Sequence, residues 1–436
     1  MYAPRGGSEH NAGARPRRSE LADLLVLFVV LRLGQQLVEH TLAALNRRYW
    51  TDPPRQAEAG RILRIPEEEM RKAIAYASDR YRFGRIAEWT EVLATLTFMA
   101  LGGLGWAEGC ARALAAPLGG GPVAAGLAFF GILGLLGALL GLPFALYATF
   151  VIEERHGFNR QTWRGFLLDQ LKGLALAVAL GAPLLAAVLT IMERAGPSWW
   201  LWAWAATSAF SLFTAWIYPT VLAPLFNRFA PLPEGDLREA ILALAARVGF
   251  RAGGIFVMDA SRRTAHGNAY FTGLFRQKRI VLFDTLLEAM GPREVVAVLA
   301  HELGHFKLHH VRWALVRGLL STGLLFYLLG RALPLTSFYT AFGLDRTSYG
   351  ALVVFGAWFS LVSFLLQPIG NALARRHEFA ADAFALAHGA PAQDLADALL
   401  KLREKSRILP LSHPLYSRVY HSHPPLLERL RAMGAV

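Results

Sequence analysis

The stretch PVAAGLAFFGILGLLGALLGLPFALYATFV, from Pro122 to Val151, decides the class of fold. It contains no charged residue, and it is longer than the about 20 apolar residues that a membrane-spanning helix needs. A run of this length predicts a transmembrane helix rather than a buried helix of a soluble domain. The chain is therefore expected to be an integral membrane protein.

Other apolar stretches flank this one on both sides. They are Leu24–Leu42, Val92–Trp106, Gly173–Met192, Trp199–Leu222, Val311–Leu335 and Ser348–Gly370. The first is interrupted by Arg32 and Glu39, and the second is short unless it extends from Ala107 to Leu118. The sequence thus predicts an all-α integral membrane protein of about seven transmembrane helices, with six and eight as the alternatives.

Composition and charge agree with this class. Of 436 residues, 54% are hydrophobic and 18% are charged, whereas soluble chains carry about 25% charged residues. The net charge of +13 lies mainly in loops between apolar spans, which is typical of membrane proteins. No nucleic-acid recognition motif accompanies it, so the lipid bilayer is the expected partner and nucleic acid is not. The single cysteine, Cys110, excludes an intrachain disulfide and a cysteine-based zinc site.

The distribution of basic residues predicts the orientation. The loops after the first, third and fifth spans and the C-terminal tail are rich in Lys and Arg, whereas the other loops nearly lack them. The positive-inside rule places the basic set and the C-terminus in the cytoplasm and the N-terminus outside. The arginines of the N-terminal tail argue against this orientation. The Ala-, Arg- and Leu-rich composition favours a bacterial inner membrane; in a eukaryotic cell we expect the endoplasmic reticulum membrane.

Five segments are predicted. Residues 1–20 form a Gly-, Arg- and Ser-rich tail that is expected to be disordered. The others are transmembrane helices 1–5 in residues 21–222 with a basic loop at 43–91, a cytoplasmic segment at 223–310, transmembrane helices 6–7 at 311–370, and a C-terminal segment at 371–436. Helices 6 and 7 form a hairpin, so segments 223–310 and 371–436 lie on the same side of the membrane.

Segment 223–310 is predicted to build a small α+β region on the cytoplasmic side. Its expected elements are an amphipathic helix Leu237–Val248, a strand Gly254–Met258, a turn around His266–Gly273, a strand Arg279–Asp284 and a helix Pro292–His310. Pro292 suits the first turn of that last helix.

The helix contains the sequence His301-Glu302-Leu303-Gly304-His305. Histidines at i and i+4 lie on one helical face, so both imidazoles can reach a single zinc ion. Glu302 lies one residue further round, where it can contact water at the metal without being a ligand. This is the H-E-x-x-H arrangement of zinc proteases. The alternative is a polar helix end that is merely rich in histidine, since His309 and His310 follow.

A catalytic zinc site has three protein ligands, and the third candidate is Glu378. Glu378 and Asp382 lie at i and i+4 on one predicted helical face. This spacing suits a ligand with a supporting partner, in which Asp382 accepts the other N–H of a ligand histidine. The alternative is a solvated charged face following a membrane span.

Several further motifs carry a family resemblance. They are Phe150 to Asn159 (FVIEERHGFN), Asn268 to Gly273 (NAYFTG), His301 to Leu308 (HELGHFKL), Glu378 to Phe384 (EFAADAF) and His421 to Pro425 (HSHPP). The chain resembles the type I CAAX prenyl endopeptidases, which are integral-membrane zinc metalloproteases of seven spans, and the resemblance runs almost end to end. The shorter stress-type membrane metalloproteases share the zinc motifs but lack the long N-terminal half marked by Glu153 to Thr162, and they are the second choice.

The resemblance implies roles for particular residues. One zinc ion per chain is expected on His301, His305 and Glu378. His423 matches a histidine that donates to the oxyanion of the tetrahedral transition state. Asn268, Ala269 and Tyr270 match a substrate-binding segment, to which a peptide adds as an extended strand. The alternative is that this asparagine- and glycine-containing motif is an ordinary hairpin turn.

The sequence therefore predicts a zinc metalloendopeptidase that acts on peptide or protein substrates, near the C-terminus of prenylated CAAX-type peptides or similar ones. Glu302 is the expected general base and His423 the expected oxyanion donor. A helical transporter or scaffold is the alternative from another class. It predicts polar residues in paired broken helices instead of in cytoplasmic segments.

Overall fold

The computed structural model describes residues 18–250, 253–263, 266, 268–272 and 279–436. Most of the tail expected to be disordered, and Gly273 of the expected turn, lie outside the described residues.

Helices make up most of the described chain. In chain order they are α1 (Arg18–Trp50), α2 (Pro53–Leu63), α3 (Glu67–Ala100), α4 (Gly103–Ala115), α5 (Pro122–Tyr147), α6 (Trp163–Leu176), α7 (Ala182–Arg194), α8 (Trp199–Ile217), α9 (Asp236–Arg247), α10 (Asp284–Ala289), α11 (Pro292–Lys307), α12 (His310–Ala332), α13 (Thr336–Thr340), α14 (Ser348–Ala387), α15 (Ala392–Lys405), α16 (Pro414–Tyr420) and α17 (Leu426–Ala432). Three π-helical segments, Ala148–Glu153, Ala177–Gly181 and Tyr218–Leu222, directly follow α5, α6 and α8.

Six helical stretches of the described chain are long and apolar enough to cross a membrane. They are Asp23–Trp50, Pro122–Glu153, Trp163–Arg194, Gly196–Leu225, His310–Ala332 and Ser348–Ala387. The number rises to seven if α3 and α4 together count as one span. This agrees with the predicted count and confirms the fold class.

The second predicted span differs from its predicted form. The sequence left open an extension of the span Val92–Trp106 through Ala107 to Leu118, and the chain bends by 71° between α3 and α4. Leu101 and Gly102 form the bend, and Gly102 has a φ of +77°, a conformation that favours glycine. The helix α4 therefore does not continue along α3.

A four-stranded mixed sheet lies in segment 223–310, with the order β1–β2–β4–β3. The strands are β1 (Phe229–Pro231), β2 (Ile255–Met258), β3 (Ala269–Thr272) and β4 (Arg279–Phe283). The central pair, β2 and β4, is parallel, and β1 and β3 are antiparallel edge strands. Strand β3 lies where the sequence predicted only a turn, because its backbone pairs with β4 from Ala269 to Thr272.

The predicted helix Pro292–His310 is in fact two helices. Helix α11 ends at Lys307, and His309 takes a left-handed conformation with a φ of +60° before α12 begins at His310. This turn lets the chain leave the α+β region and enter the next membrane span.

Two large hydrophobic cores, beside two small ones, organise the described part of the chain. One joins the sheet to α9, α11 and α15, and Ile241, Leu299 and Leu395 are fully buried in it. The other lies among the membrane helices around Phe129 and Leu189. The two polar segments of the sequence thus share one core, although two membrane helices separate them along the chain.

Candidate active site

The helix that carries the H-E-x-x-H motif is fixed at its N-terminus. The Glu294 carboxylate accepts a hydrogen bond from the Gly291 backbone N–H at 2.8 Å, which satisfies one of the free amides of the first turn. The Lys401 ammonium lies 2.7 Å from the same carboxylate. These contacts hold α11 in register against α15.

Close packing then brings α11 against α14. A Cβ atom at Gly304 would lie 3.0 Å from the Ala381 Cα and 3.1 Å from the Ala381 carbonyl oxygen. Only glycine fits at such a distance without movement of the backbone. The glycine inside the motif therefore sets how closely the two histidines approach the carboxylates of α14.

Three side chains converge between these helices. His301 Nε2 lies 3.2 Å from His305 Nε2. Glu378 Oε1 lies 3.2 Å from His305 Nε2, and Glu378 Oε2 lies 3.5 Å from His301 Nε2. All the candidate ligand atoms lie within 4.8 Å of one another, a grouping suited to one metal ion.

The donor set fits zinc. Two imidazole nitrogens and one carboxylate make up a known catalytic zinc ligand set. Glu378 Oε2 is buried and has no well-oriented hydrogen-bond donor, although His423 Nδ1 lies 2.9 Å away. A buried carboxylate oxygen without such a donor is costly, and a cation at the point where the three side chains meet would satisfy it.

His301 has a second partner on its other ring nitrogen. Its Nδ1 lies 2.8 Å from Asp382 Oδ1, so Asp382 can accept the N–H and leave Nε2 free for a metal. Burial alone would lower the pKa of His301, but hydrogen bonds to Asp382 and Glu378 outweigh it and raise the pKa to about 9. Without metal, the site therefore holds a proton near neutral pH.

Arg429 binds the Asp382 carboxylate that supports His301. It donates to both oxygens of Asp382, from Nη2 at 2.6 Å and from Nε at 2.9 Å. Both side chains are buried. A paired guanidinium fixes the orientation of the carboxylate, and the carboxylate in turn fixes the ring of His301.

His305 is supported from the opposite side by other histidines. Its Nδ1 lies 3.0 Å from His310 Nδ1. The His310 ring stacks on the ring of His377, with centroids 4.0 Å apart and an angle of 8° between the planes. These rings restrict the orientation of His305.

The two expected catalytic side chains lie beside this group. Glu302 is half-buried, and burial raises its pKa. His423 is largely exposed, with 69% of its side chain accessible, and its Nδ1 faces Glu378. The structure thus brings Glu302 and His423 to the same group of side chains as His301, His305 and Glu378.

The expected substrate-binding residues lie at the edge of the sheet. Asn268 precedes β3, where its Oδ1 accepts a hydrogen bond from the Ala269 N–H at 2.8 Å and its carbonyl oxygen accepts one from Phe283 N at 3.0 Å. Ala269 and Tyr270 are the first residues of β3, and β3 packs beside α11. Because β3 pairs only with β4 in the described sheet, its other edge faces away from the sheet.

Sequence reasoning did not single out Arg429 or His310 for these positions. The sequence offered one weak signal for His310, because His305 and His310 are close in the chain and join α11 to α12. It offered none for Arg429, which lies in a short helix 47 positions from Asp382.

The fold and the site define a membrane-embedded metalloendopeptidase. Two family models divide the chain between them: residues 51–228 match the N-terminal domain of CAAX prenyl proteases, with five membrane helices, and residues 231–436 match peptidase family M48. The chain belongs to the CAAX prenyl protease 1 family of M48 metallopeptidases.

Individual relatives extend over most of the chain. The CAAX prenyl protease 1 homolog of Arabidopsis thaliana is 40% identical over 376 residues, which cover 85% of this chain and 88% of the relative. The homolog of Homo sapiens is 36% identical over 442 residues, covering 91% and 92%. The crystal structure of S. mikatae Ste24p matches with a TM-score of 0.87 at 31% identity, covering 94% of this chain and 98% of that one.

These matches confirm the predicted family, fold class and enzyme class. They also argue against the two alternatives. A non-catalytic transporter or scaffold is excluded by membership of a peptidase family. The stress-type proteases lack the long N-terminal half, and in this chain that half matches the CAAX prenyl protease domain.

Proposed function

We propose that this protein is a zinc-dependent endopeptidase that cleaves near the C-terminus of prenylated CAAX-type peptides. The observation that carries the proposal is the convergence of His301, His305 and Glu378 beside Glu302. The proposed substrate class is supported by the relatives, which are named CAAX prenyl protease 1 homologs and align over most of this chain.

One zinc ion per chain would be held by His301 Nε2, His305 Nε2 and one oxygen of Glu378. When bound, zinc supplies Lewis acidity, which polarises a carbonyl and brings the pKa of water down towards about 7. Asp382 and His310 occupy the Nδ1 atoms of the two histidines, so each ring presents Nε2 to the site.

Glu302 is the general base. Its carboxylate takes a proton from the attacking water and later delivers it to the leaving amine. The raised pKa of Glu302, caused by burial, brings it closer to the value that suits this double role.

His423 is the donor to the oxyanion. Its exposed ring lies at the open side of the site, and its Nδ1 reaches Glu378 at 2.9 Å. A substrate carbonyl next to Glu378 would therefore lie within reach of this ring. A preorganised donor of this kind stabilises the transition state more than the bound substrate.

The peptide adds as a strand to the edge of β3 that lies opposite β4, beside Asn268, Ala269 and Tyr270. The Asn268 carbonyl already accepts from Phe283 of β4, so by the alternation of an antiparallel pair the Ala269 carbonyl faces the added strand. Main-chain hydrogen bonds of this type give affinity with little demand on sequence. Because β3 packs beside α11, the added strand would lie along the helix that carries His301 and Glu302.

The catalytic segments are proposed to face the cytoplasm. The basic loops and the C-terminal tail lie on the predicted inner side, and a substrate of this class would reach the site from there.

The test is cleavage by detergent-purified protein of one peptide in two forms, prenylated and plain, with and without a chelator. We expect the prenylated form to be cleaved, and the activity to be lost with chelator and restored by zinc. Glu302→Gln is the matched control, because glutamine keeps the shape but cannot accept a proton. It should retain zinc while turnover falls to background.

Equal cleavage of the two peptides would remove the proposed preference for prenylated substrates and favour a general membrane protease. Activity that survives both the chelator and Glu302→Gln would remove the zinc mechanism itself.

A further inference from the structure

His423 lies in the exposed segment between α16 and α17, and its position relative to Glu378 depends on how that segment is held. Its side chain is largely exposed, and its Nδ1 lies 2.9 Å from Glu378 Oε2. Exposed loops of this kind are usually mobile. An oxyanion donor must nevertheless be held in place before the substrate arrives, since a displacement of 1 Å costs rate.

The end of α16, just before His423, is held by one guanidinium. Arg375 Nη1 donates to the backbone carbonyl of His421 at 2.6 Å, to that of Ser417 at 3.1 Å and to that of Arg418 at 3.3 Å. The last carbonyls of a helix have no partners within it and carry partial negative charge. The half-buried Arg375 side chain donates hydrogen bonds to these carbonyls, and its positive charge offsets their partial negative charge.

Asn371 makes a parallel contact one turn earlier on α14. Its Nδ2 donates to the Val419 carbonyl oxygen at 2.6 Å. Two side chains of α14 therefore hold four carbonyls at the end of α16, all within a few residues of His423.

These side chains form one stripe along α14 with Glu378 and Asp382. The four positions, 371, 375, 378 and 382, are spaced by 4, 3 and 4 residues, the spacing of neighbours on one helical face. Asp382 in turn binds Arg429 of α17, on the other side of His423. The segment that carries His423 is thus attached on both sides to the helix face that carries the candidate ligand Glu378.

We propose that Arg375, assisted by Asn371, is a positioning residue that sets His423 relative to Glu378. The inference rests on the oxyanion role proposed above for His423. Arg375 is not a ligand of the metal and does not contact the substrate; it acts through the backbone of residues 417–421.

The main test is Arg375→Met, which keeps the apolar stem and removes the donors. We expect kcat to fall on the order of 10–10²-fold, as for a misplaced catalytic group, while KM and zinc content stay close to those of the wild type. Arg375→Lys keeps the charge and one donor site, so it should recover part of the loss.

The matched control is Arg376→Met. Arg376 is exposed and adjacent to Arg375 in α14, and among the described residues its side chain makes no hydrogen bond or ion pair. The substitution Arg376→Met removes the same charge from the same helix as Arg375→Met does. We expect its kcat to stay close to that of the wild type.

A double-mutant cycle with His423→Ala separates positioning from general damage. If Arg375 acts through His423, the double variant should be no slower than His423→Ala alone. Hydrogen exchange of the backbone amides of residues 417–423 should also be faster in Arg375→Met than in Arg376→Met.

The outcomes are distinguishable. Wild-type kcat in Arg375→Met, with His423→Ala impaired, overturns the positioning role and leaves the proposed mechanism intact. Wild-type kcat in His423→Ala overturns the oxyanion role, and the positioning role with it. If Arg375→Met loses zinc or fails to fold, Arg375→Lys decides: a rise in KM at unchanged kcat would overturn the proposal.

Discussion

The contact between His305 and His310 restricts the proton positions of both rings. Their Nδ1 atoms are 3.0 Å apart, so one must donate and the other accept. If His305 Nε2 binds a metal, its Nδ1 carries the proton and donates to His310 Nδ1. His310 then has its own proton on Nε2. The stacked ring of His377 keeps His310 in the required orientation.

We therefore predict that His310→Ala weakens zinc binding by roughly 10–100-fold, as the loss of a partner to a metal ligand does. Competition with a fluorescent chelator on metal-free protein measures this without an activity assay. His309→Asn is the control, because His309 is exposed and asparagine tolerates its left-handed backbone. Equal zinc affinity of His310→Ala and the wild type would show that His310 does not support His305.

Zinc uptake should also depend on pH, because His301 must lose a proton to bind metal. Hydrogen bonds to Asp382 and Glu378 overcome burial and raise its pKa to about 9 in the metal-free site. Below that pH the proton competes with zinc, so affinity should fall about tenfold per pH unit from pH 9 to pH 7. Chelator competition between pH 7 and pH 9 measures this change in zinc affinity. A zinc affinity that does not change with pH would contradict a proton on His301.

At this scale the sequence predicted the residues whose spacing follows a helix. His301 and His305, and likewise Glu378 and Asp382, are separated by four positions, so one helical face explains each pair. Arg429 could not be predicted in this way, because its contact with Asp382 depends on how α17 packs against α14.

At the scale of elements, the bend between α3 and α4 places Glu108 against the start of α14. Glu108 is buried, and its carboxylate accepts hydrogen bonds from the Tyr349 hydroxyl at 2.9 Å and from the Asp345 backbone N–H at 3.0 Å. Arg112 Nη2 lies 2.9 Å from the same carboxylate. Helix α4 is thus attached to the connection between α13 and α14.

We predict that Glu108→Ala destabilises the protein by about 2–3 kcal/mol, because it leaves the Tyr349 hydroxyl and the Asp345 amide without an acceptor. The thermal unfolding midpoint in detergent measures this, and zinc content should be unchanged in the folded fraction. Asp345→Asn is the control, since its exposed carboxylate contributes less than about 1 kcal/mol. Equal midpoints for Glu108→Ala and the wild type would rule out this attachment.

Element positions were well predicted where periodicity was strong and poorly where the chain changes direction. The amphipathic helix Leu237–Val248 corresponds to α9, and the strand Arg279–Asp284 corresponds to β4. The bend at Gly102 was missed, because the apolar residues on both sides of it fit a single span equally well. Strand β3 was missed because it depends on pairing with β4, which local sequence does not encode.

At the scale of the whole molecule, one hydrophobic core joins the two polar segments. Helix α11 packs against both α14 and α15, and the candidate ligands come from α11 and α14. Segments 223–310 and 371–436 must therefore lie on one side of the membrane. The helices α12 and α14 are each long and apolar enough to cross a membrane, and two crossings would return the chain to the same side.

We predict that this shared side is the cytoplasm, because the basic loops and the C-terminal tail belong to it. In a chain without Cys110, Val436→Cys places a thiol at the exposed end of the tail, and Arg346→Cys places one in the exposed connection before α14. In intact cells an impermeant maleimide should label position 346, and it should label position 436 only after the membrane is permeabilised. The two positions act as controls for each other, because α14 crosses the membrane between them. If position 436 is labelled from outside while position 346 is protected, the predicted orientation is reversed. The site and the basic loops would then lie outside the cytoplasm.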